Sequence, residues 1–388
     1  MTPEFDPLYF DHAATTPLRP EALEAMLPYL GRVHGNPSSI HRFGREARAA
    51  LTAARDSLAA LLGCSPSELV FTSGGTESDN LALLGAAEAA RERRGERRRV
   101  VTTAVEHHAV LNAAKELERR GFEVVRLPVD ETGRVVLDAA RDAIDGSTAL
   151  VSVMYANNEV GTLQPIEEIG AIARERGALF HVDAVQAFGH LPIDLSRLPV
   201  DLMSFSAHKV NGPKGVGLLY AARGVRLRPL QFGGEQERGR RPGTENVAGA
   251  VGFAKAAELA YAELERRTAE LESLRAAMLS AFARLLPEGA FVVNGHETLR
   301  LPHVLNVSFP GTRSETMLMN LDLEGIAASS GSACSAGSLR PSHVLEAMNV
   351  GSERMASAVR FSFGLGNCLK SVTFAAEKIA TVVKRLTY

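Results

Sequence analysis

Short apolar runs alternate with helical stretches through the first half of the chain, and this alternation most constrains the fold. An order of strand, helix, strand is typical of a doubly wound α/β sheet. Right-handed crossovers then place the carboxyl ends of the strands along one edge, where ligands bind. We predict an antiparallel edge strand at 216–220. The predicted parallel strands are 68–71, 100–103, 122–127, 149–154, 179–182 and 202–205, and the predicted helices are 77–93, 107–120 and 166–176.

The second half begins with an almost unbroken helical pattern at 247–286, rich in Ala, Glu, Leu and Arg. Because no compact domain centres on one 40-residue helix, we predict that it connects a large domain to a smaller one. Strands are predicted at 304–309, 325–328 and 359–363, and a closing helix at 372–385.

The composition excludes several classes of protein. The 388 residues include 45% hydrophobic and 23% charged residues, which is typical of a globular protein. The chain has 43 basic and 45 acidic residues, so nucleic acid is not the expected main ligand. No run of 18 apolar residues suggests a membrane span, and the first residues do not resemble a signal peptide, so we expect a cytoplasmic protein. The arginine-rich stretch 91–99, with its interspersed glutamates, indicates a solvated helix end; binding of nucleic acid or of an acidic protein are the alternatives.

The strongest local signal is Ser206-Ala207-His208-Lys209, which directly follows a predicted buried strand. A lysine at a strand's carboxyl end is costly to desolvate unless it is paired or used covalently. A desolvated lysine loses its proton more easily and becomes a nucleophile for carbonyls. The alternative is a lysine at the rim of the sheet, exposed to solvent.

Asp183 ends another predicted strand and strengthens the functional interpretation of Lys209. An acid and a lysine, each after its own buried strand, match the arrangement that holds pyridoxal phosphate (PLP): a Schiff-base lysine and a carboxylate on the pyridine nitrogen. Gly74-Gly75-Thr76, between a strand and a helix, supplies backbone N–H groups for a phosphate. The alternatives are a helix cap for Asp183 and a plain turn for the glycines.

Histidines and cysteines complete the set of candidate residues. His107 follows a strand end and is placed to stack on a cofactor ring. The alternative is a solvent-facing histidine at the start of a helix. No metal site is expected. Cys334 lies in a small, polar, glycine-rich run, which indicates an exposed and nucleophilic thiol. Cys64 and Cys368 are expected to be buried as small apolar residues.

Taken together, these residues resemble the cysteine desulfurases of the NifS and IscS type, within the class V aminotransferase-like PLP enzymes. The resemblance covers nearly the whole chain. It implies PLP fold type I, with a large doubly wound, mainly parallel sheet domain at 17–257 and a smaller α/β domain at 1–16 and 258–388. The segments that carry it are DHAATTP at 11–17, GNPSS at 35–39, FTSGGTES at 71–78, EHHAVL at 106–111, NNEVG at 157–161, HVDAVQ at 181–186, SFSAHK at 204–209, RPGTEN at 241–246 and SGSAC at 330–334.

The resemblance also implies roles for single residues. Lys209 forms the Schiff base, Asp183 pairs with the pyridine nitrogen, and Cys334 attacks the sulfur of L-cysteine, so that alanine leaves and a persulfide remains. Arg360 and Asn158 hold the substrate carboxylate, with a structural ion pair as the alternative for Arg360. The remaining cofactor contacts are His107 stacked on the ring, Gln186 on the ring hydroxyl, Gly75, Thr76, Ser206 and His208 on the phosphate, Asn158 beside the cofactor, and Thr244 reaching the phosphate of the neighbouring subunit.

The implied partners are L-cysteine, a second copy of the chain and a sulfur acceptor, for which an iron–sulfur scaffold protein is the family's usual choice. No resident metal is expected, and contact with an iron–sulfur cluster would be transient, at Cys334. Membranes and nucleic acid are not expected partners. The rival interpretations are a selenocysteine lyase or plain aminotransferase of the same fold, and a scaffold protein without turnover. The intact Lys209, Asp183 and Cys334 argue against the scaffold.

Overall fold

The largest sheet has seven strands, in the order β2-β8-β7-β6-β5-β3-β4, within a computed structural model that describes residues 8–94, 97–331 and 342–387. The strands are β1 (Leu8–Tyr9), β2 (Leu69–Thr72), β3 (Arg99–Thr103), β4 (Glu123–Leu127), β5 (Thr148–Met154), β6 (Leu179–Asp183), β7 (Leu202–Ser206), β8 (Gly217–Ala221), β9 (Val292–Asn294), β10 (Val304–Ser308), β11 (Ile326–Ala327) and β12 (Ala358–Ser362).

Helices alternate with these strands, as the sequence pattern predicts. A π-helical turn at Leu81–Gly85 joins α3 to α4 in one continuous helical run. The helices are α1 (Pro20–Leu30), α2 (Arg42–Leu62), α3 (Gly75–Asn80), α4 (Ala86–Arg94), α5 (His108–Arg119), α6 (Leu137–Ala143), α7 (Ile166–Glu175), α8 (Val247–Ala262), α9 (Leu264–Leu285), α10 (Ser314–Leu323), α11 (His343–Ala347), α12 (Ser352–Ala356) and α13 (Leu369–Thr387).

The five strands from β3 to β7 are parallel to one another, so their carboxyl ends meet at one edge of the sheet. In this register Asp183 lies beside Met154 on one side and Ser204 on the other. The next turn, the 3-10 helix Ala207–Lys209, follows β7 directly. The topology therefore brings Asp183 and Lys209 to the same edge.

Strand β8 is antiparallel as expected, but the expected edge position is wrong. It lies inside the sheet, between β7 and β2, and both of its pairings are antiparallel. The connection from β7 at residues 207–216 is too short for a crossover helix, so the chain turns back along its neighbour. Strand β2 then takes the edge position.

The predicted 40-residue connector helix is interrupted. Helices α8 and α9 meet at Glu263, whose φ of −106° and ψ of 8° leave the helical region. The Glu263 carboxylate accepts a hydrogen bond of 2.9 Å from Arg19 Nη1, which precedes α1. A tertiary ion pair thus accompanies a break that the helical periodicity does not reveal.

The second part of the molecule is built around a three-stranded antiparallel sheet, β12-β10-β9. The N-terminal strand β1 also lies in this part and pairs in parallel with β11. One hydrophobic cluster lies against the large sheet and a separate one packs α9 and α13 on the small sheet. These two clusters support the division near residues 16 and 257, which remains our proposal. None of the helices described has an apolar stretch long enough to cross a membrane.

Replacement of Leu218 by Ala should destabilise the protein by about 2–5 kcal/mol, because Leu218 is fully buried in β8 between Phe71 and Phe205. The control is Leu323→Ala on α10, where the side chain is 84% exposed and the expected loss is below about 0.5 kcal/mol. Urea unfolding of both variants measures the difference. Equal effects would contradict this packing.

Candidate active site

A cavity of about 320 Å³ opens at the carboxyl edge of the large sheet and collects most of the residues singled out in the sequence. The three-stranded sheet contributes Arg360 of β12, and Gly331 also lines the cavity. The N-terminal segment contributes Ala13 and Ala14, which the sequence pattern did not indicate individually. The predicted residues that line the cavity are Gly75, Thr76, His107, Asn158, Asp183, Gln186, Ser206, His208, Lys209 and Arg360.

Lys209 extends from the 3-10 turn after β7 into this cavity rather than into bulk solvent. Its Nζ donates hydrogen bonds to the carbonyl oxygens of Ala13, at 2.6 Å, and Ala14, at 2.7 Å. The Gln186 amide also donates to the Ala13 carbonyl, at 2.9 Å. The N-terminal segment therefore covers the lysine and fixes the direction of its amine.

Asp183 is the last residue of β6 and only 6% exposed. Its Oδ1 accepts a hydrogen bond of 2.9 Å from the Val185 N–H, which is the cap-like contact considered from the sequence. Burial raises the pKa of Asp183, while that N–H and the positive charge of Lys209 oppose the rise. A cationic nitrogen in the cavity would stabilise the Asp183 carboxylate further.

His107 caps α5 and also lines the cavity. Its Nδ1 accepts a hydrogen bond of 3.1 Å from the Ala109 N–H, so the proton of the neutral ring lies on Nε2. Burial, and then the charge of Lys209, lower the pKa of His107 to about 4. The ring therefore stays neutral near pH 7 and offers a flat face to a ligand.

The turn before α3 forms a small cradle beside Ser206. The Ser206 Oγ is buried without a hydrogen-bond partner in the residues described. A Cβ atom at Gly75 would lie 2.7 Å from Val185 Cγ2, so a side chain there would fill the space. His208, hydrogen-bonded through Nδ1 to Thr15 Oγ1 at 3.1 Å, borders the adjoining opening. The unpartnered Ser206 hydroxyl at this cradle suits an oxyanion.

Arg360 reaches the cavity from β12 of the three-stranded sheet and is 2% exposed. It donates from Nη2 to Asp11 Oδ1 at 2.7 Å and from Nη1 to the Asn158 carbonyl at 2.8 Å. The structural ion pair considered from the sequence is thus present. The Nε–H remains buried without a hydrogen-bond partner among the residues described, which leaves capacity for an anion.

Two predicted site residues are not placed in this cavity. Thr244 is exposed and lines neither the cavity nor the cradle opening. Cys334 lies outside the described residues. The expectation that Cys368 is buried is wrong, because Cys368 is exposed immediately before α13, where the Ser371 N–H lowers the pKa of its thiol. Cys64 is half-buried, and burial raises its pKa to about 12.

Sequence reasoning missed Asp79, which also lines the cavity. This residue lies on α3, one turn after Gly75, and is only 1% exposed. The available signal was an acidic residue between Ser78 and the apolar run that begins at Leu81.

Comparison with known proteins identifies the family. The aminotransferase class-V model matches residues 8–373. The chain belongs to the aminotransferase class-V family. A Bacillus subtilis (strain 168) relative, whose name assigns it provisionally as a cysteine desulfurase (IscS 1), is 52% identical over 98% of this chain and 99% of its own length. The cysteine desulfurase IscS of Methanosarcina thermophila is 47% identical over 98% of this chain and 92% of its own.

A solved structure of a NifS-like protein superposes with a TM-score of 0.91 and 41% sequence identity, covering 98% of this class V chain and all of that one. The family and fold expected from the sequence are therefore confirmed, and so is the PLP cofactor of this family.

The cavity of this class V protein fits PLP by the chemistry of its donors. The orphan Ser206 hydroxyl and the Gly75 turn suit the phosphate, the buried Asp183 carboxylate suits a pyridinium nitrogen, and the Lys209 amine suits the aldehyde. The neutral ring of His107 suits the face of the pyridine.

Borohydride reduction of the PLP-loaded protein should attach the cofactor to the peptide that contains Lys209, because that amine lies in the cavity near Asp183. Lys209→Ala should prevent the attachment. Lys214 is the matched control, because it is exposed at the rim of the cradle opening, and Lys214→Ala should keep the label on Lys209. Peptide mass spectrometry reads the result, and a label on Lys214 would contradict the assignment.

Proposed function

We propose that this protein is a cysteine desulfurase that converts L-cysteine to L-alanine and holds the sulfur as a persulfide on Cys334. The observation that carries the proposal is one cavity in which Lys209 and Asp183 lie near the small-domain arginine Arg360. These groups suit, in turn, an aldehyde, a pyridinium nitrogen and a substrate carboxylate. Relatives of nearly the same length named as cysteine desulfurases support the choice of substrate.

Different residues around the cavity hold different parts of PLP. Gly75, Thr76, Ser206 and His208 hold the phosphate, and Asp183 holds the ring nitrogen. His107 stacks on the ring, and Asn158 and Gln186 contact its edge. When bound, PLP acts as an electron sink that stabilises negative charge at the α-carbon of the amino acid.

Arg360 holds the carboxylate of L-cysteine together with Asn158. The guanidinium is already oriented by Asp11 and by the Asn158 carbonyl, so little side-chain entropy is lost when the substrate binds. The unpartnered Nε–H supplies a donor for the carboxylate. This arrangement directs the α-carbon of the substrate toward Lys209.

Lys209 acts as the base that moves a proton at the substrate α-carbon. The Cys334 thiolate then forms an S–S bond with the substrate sulfur while the substrate C–S bond breaks. The electron pair of the C–S bond stays with carbon, which takes up a proton to give alanine. The enzyme keeps the sulfur as Cys334–S–SH, so no external oxidant or reductant is needed until the persulfide is passed on.

The persulfide is transferred to an acceptor, and an iron–sulfur scaffold protein is the acceptor that we propose, in the cytoplasm. Two relatives that bear the IscS name support this place in cluster assembly. No membrane and no nucleic acid take part in this proposal.

We also propose that two copies of the chain pair and that Thr244 completes the phosphate site of the partner. Thr244 is exposed and lies outside the cavity of its own chain. Its segment is nevertheless tied to the start of α3 by a hydrogen bond of 2.9 Å from Arg241 Nε to Glu77 Oε1. Large apolar side chains are exposed on the single chain, and a second copy that covered any of them would gain hydrophobic burial. They include Leu27, Leu30, Ile40 and Phe232.

Cys334→Ser should abolish the release of sulfide and alanine from L-cysteine, because serine cannot form the persulfide, while the visible absorption of bound PLP remains. The matched control is Cys368→Ser, which removes an exposed thiol outside the cavity and should keep both products at equal amounts. Alanine and sulfide are measured under reducing conditions. Sulfide release that survives Cys334→Ser would contradict the proposed role.

The partner role of Thr244 is tested by co-expression of Lys209→Ala chains with Thr244→Asp chains. If Thr244 acts across the interface, each mixed dimer keeps one complete site, and random pairing gives about a quarter of wild-type activity. Each variant alone should be inactive, because one lacks the lysine and the other repels the phosphate. A co-expressed pair without activity would place Thr244 in the site of its own chain instead.

A further inference from the structure

A polar cluster lies behind Asp183, on the face of the large sheet that α3 covers. His181 and Asp183 are two residues apart on β6 and therefore share a face. His181 Nδ1 and Ser152 Oγ share a hydrogen bond of 2.8 Å, and His181 Nε2 and Ser204 Oγ share one of 2.9 Å; the neutral ring donates in one of the two and accepts in the other. Three neighbouring strands thus contribute one connected group of buried polar side chains.

Asp79 joins this cluster from α3. Its Oδ1 lies 3.7 Å from His181 Nε2, and its carboxyl group also interacts with the Ser204 hydroxyl. The Oδ1 atom is buried and has no hydrogen-bond partner in the part of the chain described. Asp79 therefore approaches Asp183 from the helix side while both line the same cavity.

The surroundings of Asp79 contain acids and a neutral ring, and none of its described interactions is with a cation. The titratable groups that face it are Asp183, Glu106 and His181. Burial lowers the pKa of His181 to about 3, so this imidazole carries no charge near pH 7. The positive charge of Lys209 acts on Asp183. Two buried carboxylates side by side would therefore share one stabilising cation.

Glu106 supplies no positive charge to Asp79 and Asp183. Its Oε1 accepts hydrogen bonds from Thr103 Oγ1 at 2.7 Å and from the Met154 N–H at 2.9 Å. Burial raises the pKa of Glu106 to about 8 and, with the charge of Asp183, raises that of Asp79 well above its ordinary value. A proton on Asp79 is the least costly solution, because it removes one buried charge and supplies a donor.

We propose that Asp79 is a positioning residue: it holds a proton, hydrogen-bonds as a neutral acid within the Ser204–His181 cluster, and leaves the single carboxylate charge on Asp183. The charge that faces the ring nitrogen then stays at one site instead of being divided between two carboxyl groups. This inference deepens the proposed function, because it assigns how the acidic partner of PLP keeps its ionised form.

The proton on Asp79 is tested directly by infrared spectroscopy of the full-length protein at pH 7. A protonated carboxyl group has a C=O stretch distinct from the carboxylate bands, and ¹³C-labelled aspartate should shift this band in the unaltered chain. Asp79→Asn should remove the band, whereas Glu106→Gln, the matched control at a buried glutamate, should leave the aspartate-sensitive band in place. Loss of carboxylate bands alone in Asp79→Asn would overturn the proposal.

The infrared result does not depend on turnover. The C=O band can be recorded with or without PLP, and whatever amino acid the protein uses as its substrate. Failure of this inference is therefore distinguishable from failure of the proposed function. If Asp79→Asn does not fold, Asp183→Asn in the labelled protein assigns the band: it should persist if Asp79 holds the proton and disappear if Asp183 does.

The positioning role is tested by the visible absorption of PLP-loaded variants between pH 6 and 9. Asn has nearly the size of a protonated Asp and, like it, presents a carbonyl acceptor beside a donor group, here an NH2. Asp79→Asn should therefore keep the wild-type absorption band and the pH at which that band is half-converted. Asp79→Leu removes the partner of Ser204 and should shift the pH at which the band is half-converted. If Asp79→Asn shifts it as far as Asp183→Asn does, Asp79 carries a charge and the proposal is wrong.

Discussion

The structure depends on bringing an amine and a carboxylate together in one buried cavity. Asp183 owes its place to the end of a parallel strand, and Lys209 to the turn after the next strand. The amine also requires the carbonyls of Ala13 and Ala14, so the N-terminal segment must pack across the edge of the large sheet. That segment directly follows β1, which pairs in parallel with β11. The same N-terminal segment thus contacts the lysine of the large sheet and, through β1, the strand β11.

The sequence predicts the parts of the site that follow strands, because a strand's carboxyl end is visible as the end of an apolar run. Asp183 and Lys209 were found in this way, and the structure brings them together. Contacts between distant segments were missed. The break at Glu263 accompanies an ion pair with Arg19, and the place of β8 inside the sheet depends on pairing with β2. Neither contact leaves a local periodic signal.

Residue type alone also misled the prediction for Cys368. Cysteine is on average a buried residue, but here it stands at the start of α13, where the Ser371 N–H approaches the sulfur. Asp79 was missed for the converse reason, because an acidic residue on a helix is usually solvated. Only the packing of α3 on the sheet shows that its carboxyl group is buried beside Asp183.

The most direct test of this account is the affinity for PLP and the visible absorption of the bound cofactor, compared between the wild-type protein and Asp183→Asn. A charge-assisted hydrogen bond from the ring nitrogen is worth about 1.5–3 kcal/mol, so affinity should fall roughly 10- to 100-fold. The absorption band should move as the ring nitrogen loses its proton. Unchanged affinity together with an unchanged band would contradict the pairing of Asp183 with the cofactor.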